Sequence, residues 1–250
     1  MIKNLIFSGS RTGKPSDFTD KSQPDCQEIL DAFSRTTYSS VYVIDCEKQV
    51  FDYVSENPLF LCGLKADEVK ELGGAFYARY VPKEDLDLLL KINKKGFDFF
   101  KEVPINERVS YTISYDFQLK PDNKRAMLVN HKITPFCLTQ SGDIWKAICV
   151  VSLSAEKSSG NIKISKQGDK KILQYHLKED RWTTVENINL SDRELEIIQL
   201  SVRGFTINEI ASETFVSPET IKFHRKKIFN KMGVTNMVEA SFYAVNNKLL

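Results

Sequence analysis

Apolar and polar positions alternate in several stretches of the first part of the chain, and this pattern predicts β-strands. After Ser40, the stretches VYVID and VFDYVS are separated by the polar turn EKQ and predict a hairpin. Three further strand-like stretches lie at residues 109–119, 126–136 and 144–153, with the turn sequences PDNK and TQSGD between them. A segment whose apolar residues have helical spacing lies between the hairpin and these stretches. This order predicts an α+β domain with an antiparallel sheet and helices on one side.

The helical segment contains several short helices and one longer helix. Gly63, Gly73 and Gly74 interrupt the apolar spacing and limit the first helices to short pieces. The longer helix begins after Pro82 with acidic residues, which suit a helix N-terminus. Its sequence predicts an apolar face that contains Leu86, Leu89, Leu90 and Phe97.

Two segments flank the predicted α+β domain, which we place at residues 36–155. Residues 1–35 lack sustained periodicity and predict a tail that leads into a short helix at about residues 26–33. Residues 156–188 predict a linker with a small β-hairpin, to which the stretch RWTTV could add a third strand. We expect this linker to pack as a spacer on one of its neighbours.

Two stretches of the first domain, VYVIDCEKQVFDYVSENPLFLCGLKADEV and YVPKEDLDLLL, resemble PAS sensor domains. The resemblance covers roughly residues 36–155 and implies a sensory or dimerisation domain. No histidine lies on the predicted long helix, where haem-binding relatives place their ligand, and the NCRFLQ pattern of flavin-binding relatives is missing. No cofactor is therefore predicted. An unknown small ligand in an apolar pocket and a domain that only dimerises both stay open.

Helix-capping signals predict four helices in the C-terminal part of the chain. In a capping box, two side chains satisfy backbone N–H groups at a helix start. The pairs with this spacing are Ser191 with Glu194 and Thr206 with Glu209. The third helix begins at Ser217 and Pro218 and ends at Gly233, and the sequence VTNMVEASFYAVNNKLL predicts the fourth.

The second and third of these helices are joined by a short turn, as in a helix-turn-helix that places its second helix in the DNA major groove. At about 100° per residue, Ile221, Ile228 and Met232 share one face of the third helix. The opposite face contains Glu219, Lys222, Phe223, Lys226 and Asn230. The helix has five bases and one acid, whereas the formal net charge of the whole chain is only +2. A run of bases by itself usually marks only a solvated helix face, but on the second helix of a helix-turn-helix it predicts contact with nucleic acid.

A dense set of residues matches one family of helix-turn-helix domains. They are Leu190, Ser191, Arg193, Glu194, Glu196, Gly204, Thr206, Glu209, Ile210, Ala211, Val216, Ser217, Thr220, Ile221, Lys222, His224, Ile228, Lys231, Met232 and Val234. On these residues the chain resembles the LuxR-type DNA-binding domain, which we place at residues 189–250. Asn208, Thr214 and Met237 depart from the family pattern, which commonly has a base, Leu and Arg there. These departures put in doubt one phosphate contact and some detail of the core.

The resemblance implies which side chains contact DNA. Lys222, Phe223 and Lys226 match positions that face base edges or the nearby backbone. Positions near phosphate are matched by Thr206, Ser217, Thr220, His224 and Lys227. Asn208 is a further candidate contact. A lysine can donate to guanine O6 and N7, and an aromatic ring can rest against a thymine methyl group. For His224, which borders the apolar face, a hydrogen-bonded structural role and a phosphate contact both stay open.

The last predicted helix has a stripe of apolar residues at helical spacing. They are Val238, Phe242 and Val245, with Met237 and Ala244 nearby, and Met237 is counted with the three as a candidate dimerisation residue. The stripe could close the core of the domain, or, as the family implies, pair two domains on DNA, and both roles can hold. A homodimer would present two recognition helices to half-sites roughly 34 Å apart on an inverted repeat of double-stranded DNA. RNA polymerase is a further candidate partner.

Composition narrows the function classes. The five cysteines are scattered without a CxxC pair, so neither a disulfide framework nor a zinc site is predicted. The three histidines are far apart and no catalytic motif occurs, so no enzyme, catalytic residue or metal is predicted. No stretch approaches the roughly 20 apolar residues of a membrane span.

The sequence therefore predicts a cytoplasmic, bacterial transcription regulator, in which a PAS-like domain senses a ligand or partner and controls a C-terminal helix-turn-helix. One alternative is a protein-interaction adaptor whose basic helix binds an acidic partner. The other is a ligand-binding PAS protein without specific DNA recognition.

Overall fold

A computed structural model describes residues 26–247 and 249–250 of the chain. The tail predicted for residues 1–25 lies outside the described residues, whereas the short helix predicted to follow it is present as α1, Cys26–Ser34. Within the described part of the chain, no helix is both long and apolar enough to cross a membrane.

One antiparallel sheet dominates the first part of the molecule. Its eight strands lie in the order β2-β1-β5-β4-β3-β6-β7-β8. They are β1 (Ser40–Asp45), β2 (Val50–Val54), β3 (Tyr111–Leu119), β4 (Met127–Leu138), β5 (Ile144–Leu153), β6 (Gly160–Lys166), β7 (Lys171–His176) and β8 (Arg181–Glu186). The first five strands have the predicted order of a hairpin, helices and three further strands, and the predicted fold class is confirmed.

Four α-helices between β2 and β3 pack on one face of this sheet and form its main core, and a 3-10 helix at Ile105–Ser110 follows them. The four α-helices are α2 (Pro58–Leu61), α3 (Ala66–Leu72), α4 (Ala75–Tyr80) and α5 (Lys83–Glu102). Alternation along β1 sends Tyr42 into this core and Val41 and Val43 to the opposite face. There, α1 packs on the two valines, and the Tyr53 hydroxyl donates a hydrogen bond of 2.8 Å to Asp31 of α1.

The long helix α5 is rotated relative to the predicted apolar face. Leu89 is buried as predicted, but Leu90 and Phe97 are 63% and 48% exposed. The rotation brings Gly96 against β3, where an added Cβ would lie 2.9 Å from the Ile113 Cδ1. Close approach of helix and sheet at this glycine therefore sets which side of α5 faces the core.

The segment predicted as a linker with a hairpin forms three strands, β6 to β8, that continue the main sheet. β6 pairs with the edge of β3 and thereby satisfies its free backbone groups. Ile162, Ile164 and Tyr175 enter the main core, and Asp180 in the β7–β8 turn accepts a hydrogen bond of 2.9 Å from Lys95 of α5. The segment is therefore part of the sheet, and the prediction that it packs only as a spacer on a neighbour is wrong.

The C-terminal part of the described chain is a separate core of four helices. They are α6 (Asp192–Val202), α7 (Ile207–Glu213), α8 (Pro218–Met232) and α9 (Met237–Asn246). Ile197, Ile210, Ile221 and Ala240, one from each helix, are fully buried in this core. Only residues 187–191 connect β8 to α6.

Candidate nucleic-acid interface

The first two helices of the C-terminal core begin at the predicted capping boxes. The Ser191 hydroxyl accepts a hydrogen bond of 3.3 Å from the Glu194 N–H, and the Glu194 carboxylate accepts one of 2.8 Å from the Ser191 N–H. The same reciprocal arrangement joins Thr206 and Glu209. Because each capping box fixes the residue at which its helix begins, the local sequence determines the starts of α6 and α7.

A tight turn connects α7 to α8. Buried Thr214 donates its hydroxyl to the Ile210 carbonyl at 2.6 Å, so this departure from the family pattern leaves no unsatisfied group. Phe215 then takes a left-handed backbone conformation, with φ at 54°. Ser217 caps α8 by accepting a hydrogen bond of 3.2 Å from the Thr220 N–H. The turn and cap thus set where α8 begins, and its apolar face packs into the core.

The orientation of α8 is the one predicted from its apolar spacing. The core-facing residues Ile221, Ile228 and Met232 are buried. The outward residues Lys222, Phe223, Lys226 and Lys227 are exposed. Lys227 holds its ammonium group 4.5 Å from the centre of the Phe223 ring, a cation–π contact that keeps the 56%-exposed ring on the same surface as the lysines.

Two bases of α8 turn away from this outward surface. Lys231 donates to the buried Glu194 carboxylate at 2.6 Å and to the Asn189 carbonyl at 3.0 Å, and so joins α8 to the start of α6. Burial lowers the pKa of Arg225, whose guanidinium lies 5.9 Å from the centre of the Phe229 ring. The sequence contains no local signal for the Lys231 contact, because its partner lies 37 residues away.

Most of the residues predicted to lie near phosphate are at the N-termini of α7 and α8, whereas His224 and Lys227 lie further along α8. Thr206 and Ser217 are the two N-cap residues, and Asn208 is exposed in the first turn of α7. The Ser217 and Thr220 hydroxyls lie 2.9 Å apart in a hydrogen bond. Backbone N–H groups at helix N-termini favour anions. The Nδ1 of half-buried His224 has no partner among the described residues, and its role stays a prediction.

A comparison with protein families agrees with this geometry. Residues 188–244 match the family described as bacterial regulatory proteins, luxR family. These residues form a LuxR-family helix-turn-helix domain. The match includes the whole capped unit from α6 to most of α9, and it confirms the resemblance that the sequence motifs indicated.

Relatives and solved structures extend the comparison. The oxygen regulatory protein NreC of Staphylococcus aureus is 43% identical over 61 residues, which cover 24% of this chain and 28% of NreC. The chain therefore matches little more than a quarter of the length of these curated relatives. A Vibrio cholerae VqmA–ligand–DNA complex is 15% identical, with coverage of 88% and 87% and a TM-score of 0.34. A PAS domain from Colwellia psychrerythraea is 8% identical, with coverage of 50% and 97% and a TM-score of 0.37.

Of the residues predicted for dimerisation on α9 of the LuxR-family domain, one is buried in the core and the others lie at the surface. Met237 is only 8% exposed and belongs to the domain core, so it is not available to a partner as predicted. Asn236 caps α9 directly before it and sets the helix phase. Val238 and Val245 are 80% and 61% exposed, and Phe242 lies between them at 37%.

The end of α9 contacts the sheet on the face opposite the main core. The Lys132 ammonium of β4 donates to the Asn246 carbonyl at 2.5 Å. The Asn246 side chain donates to the Leu153 carbonyl at 3.2 Å and accepts from the Ser152 hydroxyl at 3.4 Å. Lys163 of β6 lies 5.8 Å from the centre of the Tyr243 ring. We call these contacts the seam; sequence reasoning did not anticipate them.

The main core of the sheet contains a chain of polar groups. The Tyr42 hydroxyl is hydrogen bonded to the Tyr77 hydroxyl and to His131 Nε2, each at 2.6 Å. Burial lowers the pKa of His131 to about 3, so its ring is neutral at physiological pH. A nearby cavity of about 40 Å³, lined by residues that include Ile92 and Tyr115, lies between α5 and the sheet. It is too small for an organic ligand without movement of α5 or the sheet.

Proposed function

We propose that this chain is a transcription regulator that binds a specific sequence of double-stranded DNA through α8. The observation that supports this most directly is the outward surface of Lys222, Phe223, Lys226 and Lys227. The surface belongs to a LuxR-family domain, and its helix is anchored from below by buried apolar residues. A helix held in this way can enter the major groove without unfolding the core.

The proposed contacts divide into two classes. Lys222 and Lys226 donate to guanine O6 and N7, and the Phe223 ring contacts a thymine methyl group. Thr206, Ser217 and Thr220 at the starts of α7 and α8 hold the phosphate backbone, which positions the protein without reading sequence.

The proposed regulator acts as a homodimer. Val238, Phe242 and Val245 leave an apolar stripe on α9 that a second copy of the domain would cover. Two domains paired in this way would read an inverted repeat. Val238→Asp should give monomers in sedimentation experiments and abolish the preference for inverted repeats. Val202→Asp, at another exposed valine, the last residue of α6 (58%), is the control. A Val238→Asp protein that still dimerises would contradict this arrangement.

We further propose that the PAS-like domain controls this dimer in response to a small ligand or a partner. His131 and Lys132 are neighbours on β4 and point to opposite faces of the sheet, the first into the core and the second to the end of α9. A ligand that displaces β4 from the core side would therefore move the seam. Because α9 also bears the dimer stripe, such a movement would change the separation of the two α8 helices.

Selection of bound sequences from a random DNA pool tests the proposal. The full-length protein should enrich an inverted repeat, and Lys222→Ala or Lys226→Ala should each weaken binding to it by about tenfold while the fold is kept. Binding should weaken with salt, with a log–log slope of about 0.9 per neutralised phosphate. Lys178→Ala removes the same charge outside the domain and serves as the control. Unchanged binding by both α8 variants would refute the assigned surface, and enrichment of no sequence would favour the adaptor alternative.

A further inference from the structure

The recognition helix α8 contains one acidic residue, Glu219, in its first turn. Its side chain is 76% exposed and accepts a hydrogen bond of 2.9 Å from the Lys222 ammonium. The two residues are three apart and lie on the same outward side of the helix. This hydrogen bond lowers the pKa of Glu219, so the carboxylate is ionised at neutral pH and acts only as an acceptor.

An ionised carboxylate at this place opposes general binding to DNA. It lies at the N-terminal end of α8, the part of a recognition helix that approaches base edges most closely. Phosphates repel it, and all the neighbouring outward charges of α8 are positive. The acid therefore needs a partner in the groove if binding is to be tight, and only some base pairs provide one.

The major groove offers a carboxylate two amino donors, cytosine N4 and adenine N6. Cytosine N4 suits it better, because adenine N6 lies beside the N7 acceptor of the same base, which would repel the carboxylate. Guanine O6 and N7 are acceptors and would repel it, whereas they suit the ammonium of Lys222. The paired side chains thus present an acceptor and a donor at fixed separation before DNA arrives, which lowers the cost of ordering them on binding.

We propose that Glu219 is a specificity-determining residue, which accepts a hydrogen bond from cytosine N4 in each half-site while Lys222 donates to a neighbouring guanine. This inference rests on the proposed function and names the bases that this end of α8 would read. Glu219 would then disfavour sites without the cytosine, because its carboxylate would be desolvated in the groove without a hydrogen bond from a base.

Selection from a random DNA pool with Glu219→Gln and Glu219→Ala tests the inference. The wild-type protein should enrich a cytosine at one position of each half-site. Both variants should lose that preference by about tenfold and bind random DNA more tightly, because the repulsive charge is gone. The preferences at other positions should remain, apart from the guanine next to it.

Glu196→Gln is the matched control. Glu196 is an exposed acid of α6 and is paired with Arg193 three residues away at 2.7 Å. Its substitution removes the same charge and the same kind of ion pair from the same domain, so it should leave the selected sequence unchanged. If both Glu219 variants select the wild-type sequence with the wild-type preference, Glu219 does not read cytosine and the inference fails, although the proposed function stands. If the wild-type protein selects no sequence, the proposed function itself fails.

Discussion

The contact between Lys231 and Glu194 should contribute measurably to the unfolding free energy of the LuxR-family domain. Both residues match the LuxR-type sequence pattern, yet the structure uses them to join α8 to α6. The Glu194 side chain is 3% exposed and the Lys231 side chain is 39% exposed. Lys231→Met keeps most of the aliphatic stem and removes the ammonium group. The substitution therefore leaves a buried carboxylate with only its capping contact to Ser191.

The size of the effect follows from this exposure. Breaking a fully buried ion pair by removing one partner costs roughly 3–5 kcal/mol, and exposed pairs are worth less than about 1 kcal/mol. Since one partner is buried and the other is partly in water, we expect the LuxR-family domain to lose about 2 kcal/mol of unfolding free energy at neutral pH.

The pH dependence gives an independent check. Burial raises the pKa of Glu194, but the hydrogen bonds from Lys231 and Ser191 outweigh it and leave the pKa below the usual value of 4.5. In the wild type, the contact therefore stabilises the fold above pH 4.5, and this stabilisation is lost as pH falls through the lowered pKa. In Lys231→Met, the Glu194 carboxylate lacks the hydrogen bond that lowers its pKa, so burial raises that pKa. Glu194 is then protonated at a higher pH, and protonation removes the buried, unpaired charge. The difference between the two proteins should shrink from pH 7 to about pH 4.

Denaturant unfolding of the full chain measures both effects. Trp145 and Trp182, the two tryptophans of the chain, lie outside the LuxR-family domain, so fluorescence follows the sheet domain. Far-ultraviolet circular dichroism follows the helices of both domains, and the part of its transition that fluorescence lacks reports on the LuxR-family domain. Lys226→Met, on the outward surface of the same helix, should unfold like the wild type. The reasoning is refuted if Lys231→Met also unfolds like the wild type at neutral pH, or if its deficit does not shrink at acidic pH.

Two further predictions concern the sheet domain and the seam. Because burial lowers the pKa of His131 from 6.5 to about 3, only the unfolded chain gains that proton between these values. Sheet-domain stability should fall as pH drops below 6.5, by up to about 1.4 kcal/mol per pH unit, and in His131→Gln fluorescence-detected unfolding should lack this component. Asn246→Ala removes two side-chain hydrogen bonds of the seam. It should speed hydrogen exchange, followed by mass spectrometry, at residues 187–190 and at the end of α9 but not in α8; unchanged exchange would count against the seam.

The sequence predicted the C-terminal domain well because its signals are local. Each capping residue acts on a backbone group three positions away, and the apolar spacing of α8 fixes its phase without reference to any other element. The exposure of Lys222 and Lys226 could therefore be read from the chain. Predicting that the two lysines contact DNA required the family resemblance as well.

Interactions between distant residues were beyond the same reasoning. The pairing of β6 with β3 depends on a free strand edge that forms only when the sheet is assembled. The rotation of α5 depends on the close approach of Gly96 to Ile113, which no spacing rule contains. Met237 lies next to the apolar stripe in the sequence, and only the packing of α9 on its neighbours determines that it is buried.

The short connection at residues 187–191 has a consequence for the strength of the seam. Between separate molecules, a few polar contacts of this kind would give negligible association. Here the chain leaves the sheet at β8 and returns to it at Asn246, so the two sides of the seam meet at an effective concentration of the order of millimolar or higher. Weak contacts then suffice to hold the domain in one orientation. A change of roughly 1–2 kcal/mol at β4 would shift the equilibrium between the formed and the open seam by about tenfold. The binding free energy of a small molecule is larger than this.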